Sequence, residues 1–139
     1  MIRNKPIKHN IYELIPKAET YFKNRKDVIF AYLFGSFATG KPSPLSDVDI
    51  AVYLTGDKIS NKRLQILGDL TNIFKTDEID LVILNTAPLS LRMKILKERK
   101  ILADNTPFFR HSYESMTMRT YLDFSKLEKR ILERRFLSG

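Results

Sequence analysis

The stretch VIFAYLFGSFATGKPSPLSDVD, residues 28–49, decides the fold. Its first seven residues are β-branched, aromatic or otherwise apolar and end at Gly35, which is typical of a short buried strand. Gly40–Ser46 (GKPSPLS) contains two prolines and a glycine and is predicted to be a loop. Asp47–Tyr53 (DVDIAVY) has the alternating pattern of a second strand. Two strands with a glycine-rich turn and a loop between them are therefore expected.

The second strand carries two carboxylates on one face. Successive side chains of a strand point to opposite faces, so Asp47 and Asp49 project together. Their Cα atoms should lie roughly 6.5 to 7 Å apart. Two carboxylates at that separation can share one cluster of cations, although a solvated strand edge would give the same pattern.

A third carboxylate lies in the next predicted strand, Glu78–Leu84 (EIDLVIL), where Asp80 interrupts an apolar run. Burying an unpaired carboxylate costs several kcal/mol, so Asp80 needs a partner charge, and a core salt bridge is the alternative to a site. If the strands are neighbours, three carboxylates converge and repel one another unless a divalent cation neutralises them. Oxygen-only ligands favour Mg²⁺ or Mn²⁺ over zinc.

Gly35 and Ser36 follow the first strand directly. A glycine lets a phosphate approach the backbone, and a serine hydroxyl with N–H groups at a helix start can donate to an anion. A plain turn would look the same. Taken with the aspartates, however, the pair predicts a nucleoside triphosphate site.

The remaining elements are mostly helices. Apolar spacing and caps predict helices over about 11–24 with Pro16 near the first turn, from a Ser60 cap to about Phe74, from Pro88 to about Arg99, and over about 113–136, with a short strand at 100–103. The fold class is α/β, a small mixed β-sheet flanked by helices. With no internal repeat or linker, residues 1–139 should form a single domain.

The last predicted helix has two apolar sides. One is expected to pack on the core: Tyr113, Met116, Tyr121, Phe124, Leu127, Ile131 and Leu132. The other, with Met118, Leu122 and Phe136, is expected either to contact a partner or to be poorly packed at the chain end.

Composition and charge narrow the function classes. The 139 residues include no Cys, which excludes disulfide scaffolds, zinc ribbons, Fe–S clusters and thiol nucleophiles. The sequence has no apolar run of transmembrane length and no signal-peptide core, so a soluble cytoplasmic protein is expected. The net charge is +8, with an acidic middle, residues 27–91, between basic flanks. Such flanks attract a polyanion or an acidic protein, or are simply solvated.

The combined pattern is Gly35-Ser36, ten residues, Asp47-x-Asp49 and then Asp80. It resembles the signature G-S-x(10)-D-x-D with a third Asp of the nucleotidyltransferase superfamily that shares its fold with the DNA polymerase β palm. The short chain looks most like the minimal nucleotidyltransferases (MNT), especially the antitoxins of type VII HEPN/MNT toxin–antitoxin pairs. The resemblance covers about residues 28–104.

The resemblance implies transfer of AMP from Mg·ATP to a tyrosine of a HEPN ribonuclease toxin, which inactivates the toxin. Two Mg²⁺ ions, or Mn²⁺, would be held by Asp47, Asp49 and Asp80, and Asp80 would accept the proton of the attacking hydroxyl. Gly35 and Ser36 would hold the β- and γ-phosphates, and Lys41 would neutralise charge on the leaving group. The expected partners are ATP and the HEPN toxin, with neither a membrane nor direct nucleic-acid binding.

Three other functions fit parts of the sequence. The same site could transfer a nucleotide to a small molecule such as an aminoglycoside or to an RNA end, although those families usually carry an additional acceptor-binding domain. A non-catalytic antitoxin would neutralise its toxin by binding alone, but it would not need three convergent carboxylates. A nucleic-acid-binding module would use the basic flanks and bind in a salt-dependent way.

Overall fold

The structure is a computed structural model and describes residues 10–137, with side chains through Arg135. The first nine residues, part of the predicted basic N-terminal flank, lie outside the described residues. The elements in chain order are α1 (Ile11–Asn24), β1 (Val28–Phe34), α2 (Ser36–Thr39), β2 (Val48–Leu54), α3 (Ile59–Phe74), β3 (Ile79–Ile83), α4 (Leu89–Glu98), β4 (Lys100–Asp104) and α5 (Pro107–Leu137).

The four strands form one mixed sheet in the order β3-β2-β1-β4. β1 pairs antiparallel with β2 and with β4, while β2 pairs parallel with β3. The parallel pair needs a crossover connection, which α3 supplies. The predicted class, a small mixed sheet flanked by helices, is confirmed.

The helices cover the two faces of the sheet. On the first face, α1 and α3 bury Ala18, Phe22, Ile66, Leu70 and Phe74 against strand residues such as Val48, Ile50 and Val52. On the second face, α4 and the first half of α5 pack on Phe30, Tyr32, Phe34 and Ala51. Alternation along β2 and β3 therefore places Asp49 and Asp80 on the second face, the one covered by α4.

Three helices differ from their predictions at or near their first turns. α5 begins at Pro107, about six residues before its predicted start near Tyr113, because Pro suits the first position of a helix. Pro16 lies inside α1, beyond its first turn, so its missing N–H removes one intrahelical hydrogen bond. Ser60 does not cap α3. The helix begins at Ile59 after Lys58, which has left-handed backbone angles and no side-chain cap. Pro88 is at the N-cap of α4, directly before Leu89, close to its predicted place.

A charged network anchors α5 to the second face. Glu114, which is buried, accepts hydrogen bonds from the Tyr32 hydroxyl and from Nε of Arg99, the latter at 2.7 Å. Arg110 bridges Glu114 at 3.0 Å and Asp104 at 2.9 Å. Burial alone would raise the pKa of Glu114, but the hydrogen bonds from Tyr32 and Arg99 outweigh it and hold that pKa below its usual value.

The second half of α5 contradicts the predicted packing. Tyr113 packs on the core and Tyr121 is half-buried, as expected. The rest of the predicted core side is exposed, at 49% to 58%: Met116, Phe124, Leu127, Ile131 and Leu132. Helical spacing correctly predicted one apolar side, but within residues 10–135 the domain does not cover it. On the other side Met118 and Leu122 are also exposed, and the Phe136 side chain lies outside the described ones.

Candidate active site

Asp49 and Asp80 lie side by side. β2 and β3 run parallel with Asp49 opposite Asp80, and both side chains project from the second face. Asp47 directly precedes β2, and its side chain is exposed. The two strands thus bring three predicted site residues to one end of the sheet. Asp80 itself is exposed, so it does not form the core salt bridge that the sequence left open.

Gly35 closes this end of the sheet against Asp49. Phe34, the last residue of β1, is paired with Asp49, and the chain then turns at Gly35 with φ 73° and ψ −156°. A Cβ atom built on Gly35 would lie 2.0 Å from Oδ2 of Asp49. Only glycine combines this backbone conformation with so close an approach.

Ser36 begins α2, a single helical turn directly after Gly35. The N–H of Thr39 donates to the Gly35 carbonyl at 3.0 Å, and the N–H of Lys41 donates to the Ser36 carbonyl at 3.0 Å. The turn ends at Gly40 in the left-handed conformation. Ser36 is therefore fixed beside the aspartates, whereas the Lys41 side chain is exposed on the following loop.

The electrostatics of the site concentrate on Asp49. Burial, then the charges of Asp80 and Asp47, raise the pKa of Asp49 to about 6, with Lys94 opposing and Glu98 adding to the shift. The three carboxylates are therefore close enough to repel one another. A group that titrates this near neutrality is typical of a functional site.

Lys94 and Glu98 are site residues that the sequence analysis missed. Both are on α4, and they act electrostatically on Asp49 across the second face. Oε1 of Glu98 is buried, and among the described residues it has no hydrogen-bond partner. Leu91, Lys94, Ile95 and Glu98 follow helical spacing, with Leu91 and Ile95 packed on the sheet. Charges between apolar positions of one helix face were the signal that could have identified them.

The donor set suits a hard divalent cation. The oxygens of Asp49, Asp80 and Asp47 are the ligand type that Mg²⁺ and Mn²⁺ prefer, and their mutual repulsion would be relieved by bound positive charge. Within residues 10–137, no three acidic, His or Cys side chains are already arranged around a metal position. The chemistry fits such ions, and the side chains would have to draw together to bind one.

The fold is that of a nucleotidyltransferase. The family model described as polymerase beta, nucleotidyltransferase matches residues 16–107, which is more than half of the chain. The chain therefore belongs to the polymerase β nucleotidyltransferase family. Among curated protein sequences, none matches it significantly.

Solved structures add a more specific likeness. A toxin–antitoxin structure with AMP-PNP is 25% identical, with a TM-score of 0.67 over 86% of this chain and 95% of that one. A mutant of the toxin–antitoxin MntA-HpeT is 26% identical, with a TM-score of 0.61 over 88% and 92% of the two chains. A third structure holds a tri-AMPylated Shewanella oneidensis HEPN toxin with its MNT antitoxin, at 24% identity, a TM-score of 0.62, and 87% and 95% coverage. The fold is that of the MNT antitoxins. In the described part of the chain no helix is long and apolar enough to cross a membrane.

Proposed function

We propose that this protein is an antitoxin nucleotidyltransferase that transfers AMP from Mg·ATP to a tyrosine of a cognate HEPN ribonuclease toxin and thereby inactivates it. The observation that carries the proposal is the pairing of Asp49 with Asp80, with Gly35 in contact with Asp49. This arrangement combines carboxylates for divalent ions with a backbone that a phosphate can approach.

Each site residue has a distinct task in this proposal. Asp47, Asp49 and Asp80 bind the divalent ions, two Mg²⁺ or Mn²⁺. When bound, such ions neutralise the triphosphate and lower the pKa of the attacking hydroxyl. Gly35 and Ser36 hold the β- and γ-phosphates, and Lys41 supplies positive charge to the leaving group.

The reaction is an in-line displacement at the α-phosphorus. The tyrosine oxygen forms the new bond to phosphorus while the bond from that phosphorus to the bridging oxygen of pyrophosphate breaks. The tyrosine proton passes to the Asp80 carboxylate, which solvent can reach because Asp80 is exposed. Pyrophosphate leaves with the negative charge.

The acceptor is suggested by the structural likeness. The similar structures are toxin–antitoxin complexes, one of them with AMP-PNP and another with a tri-AMPylated HEPN toxin. A tyrosine hydroxyl suits transfer between two proteins, because a rigid ring holds it away from the partner's surface and its pKa near 10 can be lowered by a metal ion.

The test is a transfer assay on purified proteins. The chain, Mg·ATP and its cognate HEPN toxin are mixed, and intact-mass spectrometry and RNA cleavage are followed. We expect the toxin mass to rise by whole AMP units on tyrosine and cleavage to stop. Asp49→Asn should lose most of the transfer while keeping the fold, since an amide cannot supply the charge that holds the ions.

Three results would contradict the proposal. If RNA cleavage stopped without ATP, or with the Asp49→Asn variant, the protein would be an antitoxin that acts by binding alone. Labelling of an aminoglycoside or an RNA end instead of the toxin would keep the chemistry and change the acceptor. If Asp49→Asn transferred AMP at the wild-type rate, Asp49 would not be a metal ligand.

A further inference from the structure

The direction of α5 brings its second half to the end of the sheet that holds the candidate site. β4 runs from Lys100, paired with Leu33 near the site, to Asp104, paired with Phe30 at the far end of the sheet. α5 starts at that far end and runs back. It reaches the level of the last turn of α4 at Tyr121, whose ring lies 5.8 Å from Nζ of Lys97. Beyond Tyr121 the helix projects past the end of the sheet that holds the aspartates.

We call Leu122–Arg135 the distal arm. Every side chain in it is exposed except Ser125, which is half-buried. At 1.5 Å per residue the distal arm is about 21 Å long. An isolated helix of this length is only marginally stable in water, because most helical stability in proteins comes from packing of an apolar face. The distal arm therefore has the composition of a helix that packs on another molecule.

One face of the distal arm is apolar and its border is mainly basic. Phe124, Leu127 and Ile131 recur at helical spacing and are about half exposed, so they form a continuous stripe. Asp123, Arg130 and Arg134 border the stripe on one side, and Glu128 and Arg135 border it on the other. Along the whole distal arm five cations face three carboxylates. A second copy of the same helix would repel it, whereas an acidic surface would attract it.

We propose that the apolar stripe of the distal arm, with the charges that border it, is the docking surface for the protein that receives the nucleotide. The occupant is an α-helical protein with an apolar groove and an acidic rim, which takes up the stripe as amphipathic helices are bound elsewhere. The inference rests on the proposed function, and it names the surface through which the acceptor protein would be held. The stripe argues for a protein over RNA, since RNA binding uses cations without needing exposed aliphatic side chains.

The inference is tested by binding rather than by transfer. The double variant Leu127→Asp/Ile131→Asp disrupts the stripe, and Leu122→Asp, on another side of the same helix and 57% exposed, is the matched control. Affinity for the HEPN toxin is titrated without ATP, and affinity for AMP-PNP with Mg²⁺ is measured separately. We expect the double variant to bind toxin at least about 30-fold more weakly, as loss of a central contact does. The double variant should keep the AMP-PNP affinity and circular dichroism spectrum of wild type. Leu122→Asp should also bind toxin with wild-type affinity.

The two proposals fail in different ways. If the double variant bound toxin as tightly as wild type, the proposed docking surface would be wrong. The proposed AMP transfer would still be judged by the transfer assay. A wild-type chain that binds toxin through the distal arm but transfers no AMP would support the docking surface and overturn the activity. The proposed partner would be wrong in two further cases. In one, the chain alone forms a dimer that the double variant dissociates. In the other, the double variant loses affinity for RNA and keeps its affinity for toxin.

Discussion

Gly35 and Asp49 are so close that no side chain fits at position 35: a Cβ on Gly35 would lie 2.0 Å from Oδ2 of Asp49. The contact joins the end of β1 to the carboxylate at the centre of the site, across the pairing of Phe34 with Asp49. The residue proposed to bind phosphate and a residue proposed to bind metal are thus held together by the backbone of adjacent strands. Substitution of the glycine should change the position of the carboxylate.

Gly35→Ala tests this relationship. The new methyl group would displace Asp49, and φ 73° adds backbone strain. We expect a loss of about 1 to 3 kcal/mol in the free energy of unfolding together with a clear loss of AMP-PNP affinity in the presence of Mg²⁺. Gly40→Ala is the control, because its φ is 78° but a Cβ there meets nothing within 4 Å. It should lose stability alone. Equal loss of nucleotide affinity in both variants would contradict the contact.

The raised pKa of Asp49 predicts a pH dependence of stability. In the metal-free protein that pKa is about 6 against 3.8 in the unfolded chain, so the folded state retains a proton that the unfolded state has released. Stability contributed by this group should therefore fall as pH rises from about 4 to 6 and stay low above that range.

Asp49→Asn should remove this pH dependence and, at pH 7.5 in EDTA, raise the free energy of unfolding. The gain should be on the order of 1 kcal/mol, because solvent reaches the carboxyl and screens its charge. Urea unfolding between pH 4 and 8 measures it, and the exposed Asp123→Asn serves as control. If saturating Mg²⁺ left the wild-type profile unchanged, Asp49 would not be a metal ligand.

Lys94 and Lys41 should have separable effects. Lys94 lowers the pKa of Asp49, so Lys94→Gln should move the acid limb of the pH–rate profile for AMP transfer to higher pH. Lys41 is exposed on the loop and is assigned to the leaving group, so Lys41→Gln should lower the rate at every pH and leave the limb in place. Superimposable profiles for the two variants would show that Lys94 does not act through Asp49.

The Glu114 network predicts where the fold is most sensitive. Glu114→Gln would leave Arg99 and Arg110 without their shared carboxylate, so we expect a loss of about 3 to 5 kcal/mol in the free energy of unfolding by urea. Tyr32→Phe should cost about 1 kcal/mol. Glu128→Gln, exposed on the same helix, should stay within about 0.5 kcal/mol of wild type. A similar loss for Glu128 and Glu114 would show that the network does not anchor α5.

Local sequence predicted the sheet and the three aspartates because the decisive information is short-range. An apolar run ending at a glycine defines β1, and strict alternation in β2 fixes the side of Asp49. The pairing of Asp49 with Asp80 also requires that the two strands be parallel neighbours in this register, which the sequence left open. The start of α3 was missed because Ser60 has the chemistry of a cap, whereas the chain enters the helix through Lys58.

Long-range placement could not be predicted in the same way. The charges of Lys94 and Glu98 between apolar positions mark one face of α4, but they do not show that this face packs over Asp49. The apolar spacing of Phe124 and Leu127 was identified correctly, but spacing does not reveal whether the domain or another molecule covers it. Both depend on the path of the chain between elements.

The anchoring of α5 by Glu114 has a consequence for acceptor selectivity. Because Arg99, Arg110 and Tyr32 fix the helix where it crosses the sheet, its projecting end keeps a constant angle to the aspartates. A protein held there presents its hydroxyl groups at distances set by that angle. Under the two proposals, choice among its tyrosines would then depend on their position relative to the bound groove and hardly on the residues flanking them in sequence. Neighbouring hydroxyls within the same radius would be modified in turn, in order of proximity.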